Sequence, residues 1–159
     1  MSENAVVSKI KGSFSNAVVD VVEHRGETTV IVKKEDIVAL CSFLKEQGFN
    51  FLTDLTAVDL FGKTPRFMMV YQLQNLSNAE RLRLKCPVEE GDARIETVSG
   101  VWSTANWLER EVYDLFGITF DNHPNMRRIL MPDDWEGHPL RKDYPVQGPD
   151  REPYQGRVQ

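Results

Sequence analysis

The sequence is poor in cysteine, in long apolar runs and in positive charge, and each shortage excludes a class of protein. Its 159 residues include only two cysteines, Cys41 and Cys86, which lie far apart and outside any CxxC pair. An iron–sulfur cluster or a cysteine-rich zinc site commonly takes about four such ligands. We therefore expect no cluster in this chain and two buried, reduced thiols.

The sequence also lacks the patterns that mark membrane-spanning helices, export signals and nucleic-acid-binding proteins. No apolar run approaches the roughly 20 residues of a membrane-spanning helix. The opening residues, MSENAVVSKIKG, show neither a signal-peptide core nor an Arg-rich transit pattern. The net charge of −5 argues against a nucleic-acid partner. We therefore expect a globular domain in a bacterial-type cytoplasm or a comparable compartment.

The pattern of apolar and polar residues over 1–120 predicts an α+β domain with two layers and a mainly antiparallel sheet. Residues 18–32 predict a hairpin that turns at Gly26, and residues 66–74 and 80–88 predict a second strand pair. Residues 49–60 have strand-like composition, and residues 93–98 predict one more strand.

The predicted domain contains two or three helices, and the sequence places two of them. The first covers residues 35–47, with its apolar stripe at Ile37, Leu40, Cys41 and Leu44 and with Gly48 ending it. The second runs from Ser103 to Phe116. Ser103 or Thr104 is expected to cap its start and Gly117 its left-handed end.

Residues 121–159 differ sharply in composition from what precedes them. Proline excludes regular helix and central strand there, yet large apolar side chains recur. Such a segment is expected to be an extended, Pro-rich tail that lies across a partner protein. It holds six of the eight prolines, at Pro124, Pro132, Pro139, Pro145, Pro149 and Pro153.

Three groups of residues could carry chemistry. Glu109 and Glu111 could be an acid–base pair, but two positions apart on a helix they face different ways. Arg110 and Asp114 have the spacing of a helical ion pair. The basic pairs at 127–128 and 141–142 are interleaved with acids, which favours salt bridges to a partner protein over phosphate binding.

His123 and His138 could form a metal site with Asp133, Asp134 and Glu136. No HxxxH or HExxH spacing occurs, however, and each histidine precedes a proline. We expect turns or hydrogen-bonding anchors instead. Neither a glycine-rich phosphate loop nor a nucleophile elbow nor a dinucleotide fingerprint occurs, so the sequence predicts no catalytic centre.

The stretch EREVYDLFGI at 109–118, followed by His123-Pro124, RRIL at 127–130 and PDDWEGHPLRKDYP at 132–145, resembles a known signature. It is similar to that of the C subunit of respiratory complex I, the thirty-kilodalton subunit family. The match covers about 37 residues and fixes many uncommon residue types in order.

The resemblance implies a non-catalytic member of the hydrophilic arm of a proton-pumping NADH:quinone oxidoreductase. Such subunits bind no redox group; FMN and the iron–sulfur clusters are expected in partner subunits. They pack against the large D subunit, along which their tail wraps, and against the small, cluster-bearing B subunit, at the cytoplasmic face of the bacterial inner membrane. The membrane is reached only through the complex.

The resemblance also implies which residues form interfaces or lock the domain. These are Glu109, Arg110, Glu111, Asp114, His123, Arg127, Arg128, Trp135, His138, Arg141, Lys142, Asp143 and Tyr144. Two alternatives stay open: an equivalent subunit of a ferredoxin-dependent or other complex I-like dehydrogenase, and a stand-alone metal-binding hydrolase.

Overall fold

A mixed five-stranded sheet forms the centre of the computed structural model, which describes residues 5–148. Its strands lie in the order β1-β2-β5-β4-β3, and every neighbouring pair is antiparallel except β2–β5. The predicted α+β class is confirmed. The strands are β1 (Val18–His24), β2 (Glu27–Val32), β3 (Phe51–Asp59), β4 (Phe67–Gln74) and β5 (Arg81–Val88).

Alternation of apolar and polar side chains explains how the sheet is covered. In β5, Leu82, Leu84 and Cys86 are buried, whereas the residues between them face outward. The predicted hairpin at Gly26 and the predicted pairing of β4 with β5 are both confirmed.

Three helices bury their apolar stripes in the same core as the inward side of the sheet. They are α1 (Ala5–Ser13), α2 (Ile37–Glu46) and α3 (Ala105–Phe116). The predicted stripe of α2 is confirmed, with all four of its residues fully buried. The sequence interpretation missed α1, whose nine residues form only two and a half turns.

The predicted cap of α3 is wrong. Thr104 precedes the helix but already has helical backbone angles, and its side chain makes no capping hydrogen bond. Carbonyls of the preceding turn take over this role. The Ala105 N–H donates to the Trp102 carbonyl, and the Asn106 N–H donates to the Ser103 carbonyl.

A small parallel sheet of β6 (Arg94–Glu96) and β7 (Thr119–Asp121) flanks α3 in the chain. The strand predicted over residues 93–98 is thus present, in a shorter form. Both cysteines are free and buried, as predicted. Burial raises the pKa of Cys86 to about 12.

Residues 122–148, called here the C-terminal strap, contain turns and no helix or strand. Pro149, Pro153 and the rest of the predicted tail lie outside the described residues. Among residues 5–148, no helix combines the length and apolarity that crossing a membrane requires.

Candidate functional site: the clasp between helix α3 and the strap

The thirteen residues singled out from the sequence differ widely in exposure. Three of them, all on α3, are buried; six in the strap are half-buried; and four are exposed. In that order, they are Glu109, Arg110 and Asp114; His123, Arg128, Trp135, His138, Arg141 and Tyr144; and Glu111, Arg127, Lys142 and Asp143.

Three buried charges on one helix require internal partners, since a lone buried charge costs several kcal/mol. The apolar stripe of α3 includes the buried Val112 and Phe116. The buried charges flank this stripe, and their partners come mainly from the strap. We call this set of contacts the clasp.

The Asp114 carboxylate is the centre of the clasp. Its Oδ2 accepts the backbone N–H groups of Ile129, Leu130 and Met131 at 3.0, 2.7 and 2.8 Å. Its Oδ1 accepts from the Arg128 guanidinium at 2.7 Å. Burial alone would raise the pKa of Asp114, but these hydrogen bonds together hold it below its usual range.

The strap also caps the carboxyl end of α3. The last four carbonyls of a helix lack partners within the helix. Here the Asp114 carbonyl accepts from His138 Nδ1 at 2.9 Å, the Leu115 carbonyl from Leu140 N–H at 3.0 Å, and the Phe116 carbonyl from Arg141 Nε at 2.6 Å. Since a carbonyl can only accept, His138 carries its hydrogen on Nδ1.

Gly117 allows this close approach. Its N–H donates to the Tyr113 carbonyl at 2.9 Å, and its φ of 75° is the left-handed end predicted from the sequence. A Cβ at this position would lie 2.5 Å from the His138 ring. The position therefore requires glycine both for backbone conformation and for space.

Arg110 contacts the strap one turn before Asp114. Its Nε and Nη2 donate to the carbonyls of Arg127 and Arg128, each at 3.1 Å. The Trp107 ring lies 5.0 Å from its guanidinium carbon. The predicted ion pair between Arg110 and Asp114 is wrong, because both side chains are engaged by the strap instead.

A second cluster fixes the distal part of the strap to the sheet. Arg66, 3% exposed, donates to both carboxylate oxygens of Asp59 at 3.0 Å and to those of Asp143 at 2.6 and 3.2 Å. It also pairs with Glu90. The Lys142 N–H reaches Asp59 Oδ2 at 2.9 Å. The hydrogen bonds from Arg66 lower the pKa of Asp59 and Asp143.

Glu109 and His123 meet behind α3. Glu109 Oε1 accepts from the Val98 N–H at 2.7 Å, and Oε2 accepts from the Thr97 hydroxyl. His123 Nε2 lies 3.0 Å from the Asn106 carbonyl and 3.7 Å from Glu109 Oε2. Burial raises the pKa of Glu109 to about 7, and burial lowers the pKa of His123.

The geometry does not assemble the chemistry considered from the sequence. Glu109 is enclosed while Glu111 is exposed, so the two carboxylates face different surroundings. His123 binds the carbonyl of Asn106 and His138 that of Asp114, two turns apart on α3. Within residues 5–148, no three metal-binding side chains converge. What the arrangement does is hold the strap to α3, mostly through hydrogen bonds between side chains of one and main-chain groups of the other.

Sequence reasoning missed Thr97, which belongs to the clasp, and it missed Asp59, Arg66 and Glu90 of the second cluster. One signal was available for Asp59, because it occupies an inward position of β3 in series with Leu55 and Ala57. A carboxylate at an inward strand position predicts a buried cation. No comparable pattern marks Glu90 or Thr97, whose partners lie far away in sequence.

Comparison with known proteins places the chain among relatives of near-equal length. Residues 30–150 match the family described as the respiratory-chain NADH dehydrogenase 30 kDa subunit. The C subunit of the NADH-quinone oxidoreductase of Geotalea uraniireducens is 64% identical over 98% of this chain and 95% of its own length. Its counterpart from Geobacter sulfurreducens, which has the same name, is 60% identical over 98% of this chain and 97% of its own.

Solved structures agree with this placement. A trypsin-resistant fragment (1-134) of Nqo5 is 32% identical, with a TM-score of 0.69, over 76% of this chain and 96% of the fragment. A chain of an archaeal membrane-bound sulfane sulfur reductase is 27% identical, with a TM-score of 0.76, over 89% of this chain and 84% of its own. By its sequence match and its fold, the chain belongs to the 30 kDa subunit family of the respiratory-chain NADH dehydrogenase.

Proposed function

We propose that the chain is a non-catalytic component of the peripheral arm of a NADH:quinone oxidoreductase. The clasp is the observation that carries this role. The most distinctive residues of the signature hold the strap against α3 through main-chain carbonyls and N–H groups. Curated relatives that match almost end to end are named as the C subunit of NADH-quinone oxidoreductase.

The strap supports the proposed division into a globular domain over residues 1–120 and a partner-binding segment over residues 121–159. Its route is fixed by hydrogen bonds, yet residues 122–148 are all half-buried or exposed as whole residues, and the His123 side chain is enclosed against Glu109. A segment that is ordered but not covered is suited to a partner surface. We propose the D and B subunits of the complex as the partners, with the D subunit contacted along the strap.

The chain would contribute to activity through geometry. FMN and the iron–sulfur clusters would lie in partner subunits, and this chain would keep the quinone-site subunits in register. Small displacements of reacting groups reduce rates strongly, by up to about 100-fold for roughly 1 Å. The complex would lie at the cytoplasmic face of the bacterial inner membrane, with this chain peripheral to it.

A different electron donor is the second candidate. The archaeal sulfane sulfur reductase chain shares the fold at 27% identity, so the fold also occurs in a complex with another named activity. The names of the curated relatives favour NADH. An equivalent subunit of a ferredoxin-dependent or other dehydrogenase would carry the same clasp, because the clasp contacts no donor.

Co-purification tests the proposal. The full chain, tagged at its N-terminus, would be isolated from its native membranes in mild detergent, and the accompanying proteins identified by mass spectrometry. We expect the D and B subunits together with NADH-oxidising subunits, and NADH-driven quinone reduction in the isolate. Recovery of the chain alone would contradict the proposal, and reduction only by ferredoxin would favour the second candidate.

Truncation after Phe120 tests the role of the segment. We expect the truncated chain to lose the D subunit in the same co-purification. Assembly with the D subunit at the level of the full chain would show that residues 121–159 are not the partner-binding segment.

A further inference from the structure

The carboxyl group of Glu109 has hydrogen-bond partners that fit it both with and without a proton. Its side chain is fully enclosed, and Oε1 accepts the Val98 N–H at 2.7 Å. A backbone N–H can only donate, so Oε1 stays the acceptor oxygen. Oε2 contacts the Thr97 hydroxyl, which can donate or accept. A proton on Glu109 therefore lies on Oε2 and points to Thr97.

Thr97 connects Oε2 to a second hydroxyl. Its Oγ1 lies 2.8 Å from Ser99 Oγ and accepts the Ser99 N–H at 3.1 Å. When Glu109 is ionised, Thr97 donates to Oε2 and Ser99 donates to Thr97. When Glu109 is protonated, Oε2 donates to Thr97, Thr97 donates to Ser99, and the hydrogen of the half-buried Ser99 turns to solvent. Both patterns are complete, because each hydroxyl has one hydrogen and two lone pairs.

His123 provides no positive charge to Glu109, although the two side chains are in contact. Its Nε2 lies 3.7 Å from Glu109 Oε2 and 3.0 Å from the Asn106 carbonyl, and its Nδ1 accepts the Asn125 N–H at 3.0 Å. The ring hydrogen is therefore on Nε2 and is donated to Asn106. A second hydrogen, on Nδ1, would displace the Asn125 N–H and break a turn at the start of the strap.

The other groups around Glu109 also leave it without a cation. Cys41 of α2 and Tyr71 of β4 interact electrostatically with it, and burial raises the pKa of both, so both are neutral at neutral pH. Arg110, its neighbour on α3, donates to strap carbonyls instead. Within residues 5–148, no lysine or arginine nitrogen lies within ion-pair distance of Glu109. In this part of the chain, only a proton neutralises the Glu109 carboxylate.

We propose that Glu109 is a proton-binding site that exchanges with solvent through the hydroxyls of Thr97 and Ser99. A solvent proton binds Ser99 Oγ, the Ser99 hydrogen passes to Thr97 Oγ1, and the Thr97 hydrogen passes to Glu109 Oε2. One proton enters, one carboxylate charge is neutralised, and both hydroxyls end in the pattern of the protonated state. The inference goes beyond the proposed scaffold role and does not depend on it.

The position of this site links it to the strap. Loss of the proton leaves a buried carboxylate without a cation, which is costly. Exposure to water relieves that cost, and it requires movement of His123, where the strap begins, or of the Thr97–Ser99 turn. We therefore expect a rise in pH through neutrality to loosen the start of the strap, while binding of the proton closes it.

Carbon-13 NMR of the full chain, labelled at the carboxyl carbons of glutamate, tests the site. We expect the Glu109 resonance, assigned by through-bond correlation to its backbone, to titrate near pH 7 instead of near the ordinary value of 4.5. Glu109→Gln should remove this resonance. Glu111→Gln, on the exposed side of the same helix, is the matched control and should leave it in place. Titration of Glu109 in the ordinary range would overturn the inference.

Two hydroxyl variants test the route. Thr97→Val keeps the shape but removes the donor to the carboxylate, so the Glu109 midpoint should rise by about one pH unit, whereas Thr97→Ser should keep it. Ser99→Ala keeps the Thr97 hydroxyl but interrupts the route. At its midpoint, the single averaged Glu109 line of the wild type should split into two lines, one for each protonation state.

The amide spectrum of β4 shows whether each variant is folded, independently of the carboxyl titration. An unchanged midpoint in folded Thr97→Val would show that Thr97 does not contact the carboxylate and would overturn the inference. A single averaged line in folded Ser99→Ala, or two lines already in the wild type, would show that protons do not pass through the hydroxyls.

Discussion

The sheet domain and the strap are held in place by opposite means. In the domain, side chains such as Leu84, Phe67 and Ile37 are fully buried, and the backbone is paired in regular strands and helices. In the strap, residues 122–148 are half-buried or exposed as whole residues, although the His123 side chain is enclosed and Met126 packs against the core, and most of the order comes from carbonyls and carboxylates of α3 and β3. The domain thus follows from apolar burial, whereas the strap follows mainly from polar groups, at the end of α3 and at Asp59 and Arg66 of the sheet.

This difference between domain and strap has a consequence for partner binding. A segment ordered by apolar burial would have its large side chains buried within the chain, where no partner could contact them. The strap is instead fixed by polar contacts, which leaves Leu130 and Leu140 exposed. It can be shaped in advance and still offer apolar surface to a partner, which reduces the entropy lost on binding.

Replacing one leucine by alanine in each region should give the largest difference in unfolding free energy. Leu84→Ala leaves a cavity in the core and is expected to lower the free energy of unfolding by about 2–5 kcal/mol. Leu140→Ala, at a half-exposed position in the strap, should change it by less than about 0.5 kcal/mol. Denaturant unfolding of the isolated chain measures both. Equal losses would show that the strap belongs to the core.

Asp114→Asn should open the clasp while the sheet stays folded. The variant leaves Arg128 without its carboxylate and replaces an anion that accepts three backbone N–H groups. Opening should become easier by about 2–4 kcal/mol. Trypsin cleavage after Arg127 and Arg128 should accelerate by about 30-fold or more.

Glu111→Gln is the matched control for this variant, because Glu111 is the exposed carboxylate of the same helix. Its cleavage rate should equal that of the wild type. Equally slow cleavage of Asp114→Asn would show that the carboxylate does not hold the strap.

Glu109→Gln should remove the part of the pH dependence of stability that comes from Glu109. Burial raises the pKa of Glu109 from 4.5 to about 7, so the unfolded chain releases this proton at lower pH than the folded one. The contribution of Glu109 to stability is therefore present below pH 4.5 and lost as pH rises to about 7. The unfolding free energy of the variant relative to the wild type should rise over that window by roughly 3 kcal/mol and then level off.

Thermal unfolding of both proteins across this pH range measures the difference. Asp59 and Asp143 have lowered pKa values, so their contribution is lost only under acidic conditions and is common to both proteins. A difference between variant and wild type that is constant with pH would contradict a raised pKa for Glu109.

Tyr71→Phe should have the smallest effect. The Tyr71 hydroxyl is buried without a hydrogen-bond partner among the described residues. Its removal should leave the unfolding free energy unchanged or raise it by up to about 1 kcal/mol, since an unsatisfied buried hydroxyl is costly. A loss of about 1 kcal/mol would show that a buried water holds this hydroxyl.

The domain was largely predictable from sequence, because burial leaves a pattern of residue types. The alternation in β5 and the stripe of α2 could be read directly. The parallel pairing of β2 with β5 could not. It joins Thr29 to Arg83 across a long stretch of chain, and no local signal records such a pairing.

The clasp was hidden for a different reason. Main-chain carbonyls and N–H groups are present at every residue, so capping of α3 by Leu140 leaves no mark in residue type. The spacing of Arg110 and Asp114 suggested an ion pair, but the three N–H groups at 129–131 compete for the same carboxylate. Gly117 was identified as a helix end, although its clearance for His138 was not.

Amide hydrogen exchange of the isolated full chain tests most directly whether the clasp itself orders the strap. The amides of Ile129, Leu130, Met131 and Leu140 should be protected although these residues are not buried, and Asp114→Asn should remove the protection at 129–131 while β4 stays protected. If these four amides exchange freely in the wild-type chain, the strap is not ordered by α3 and the account of the clasp is wrong.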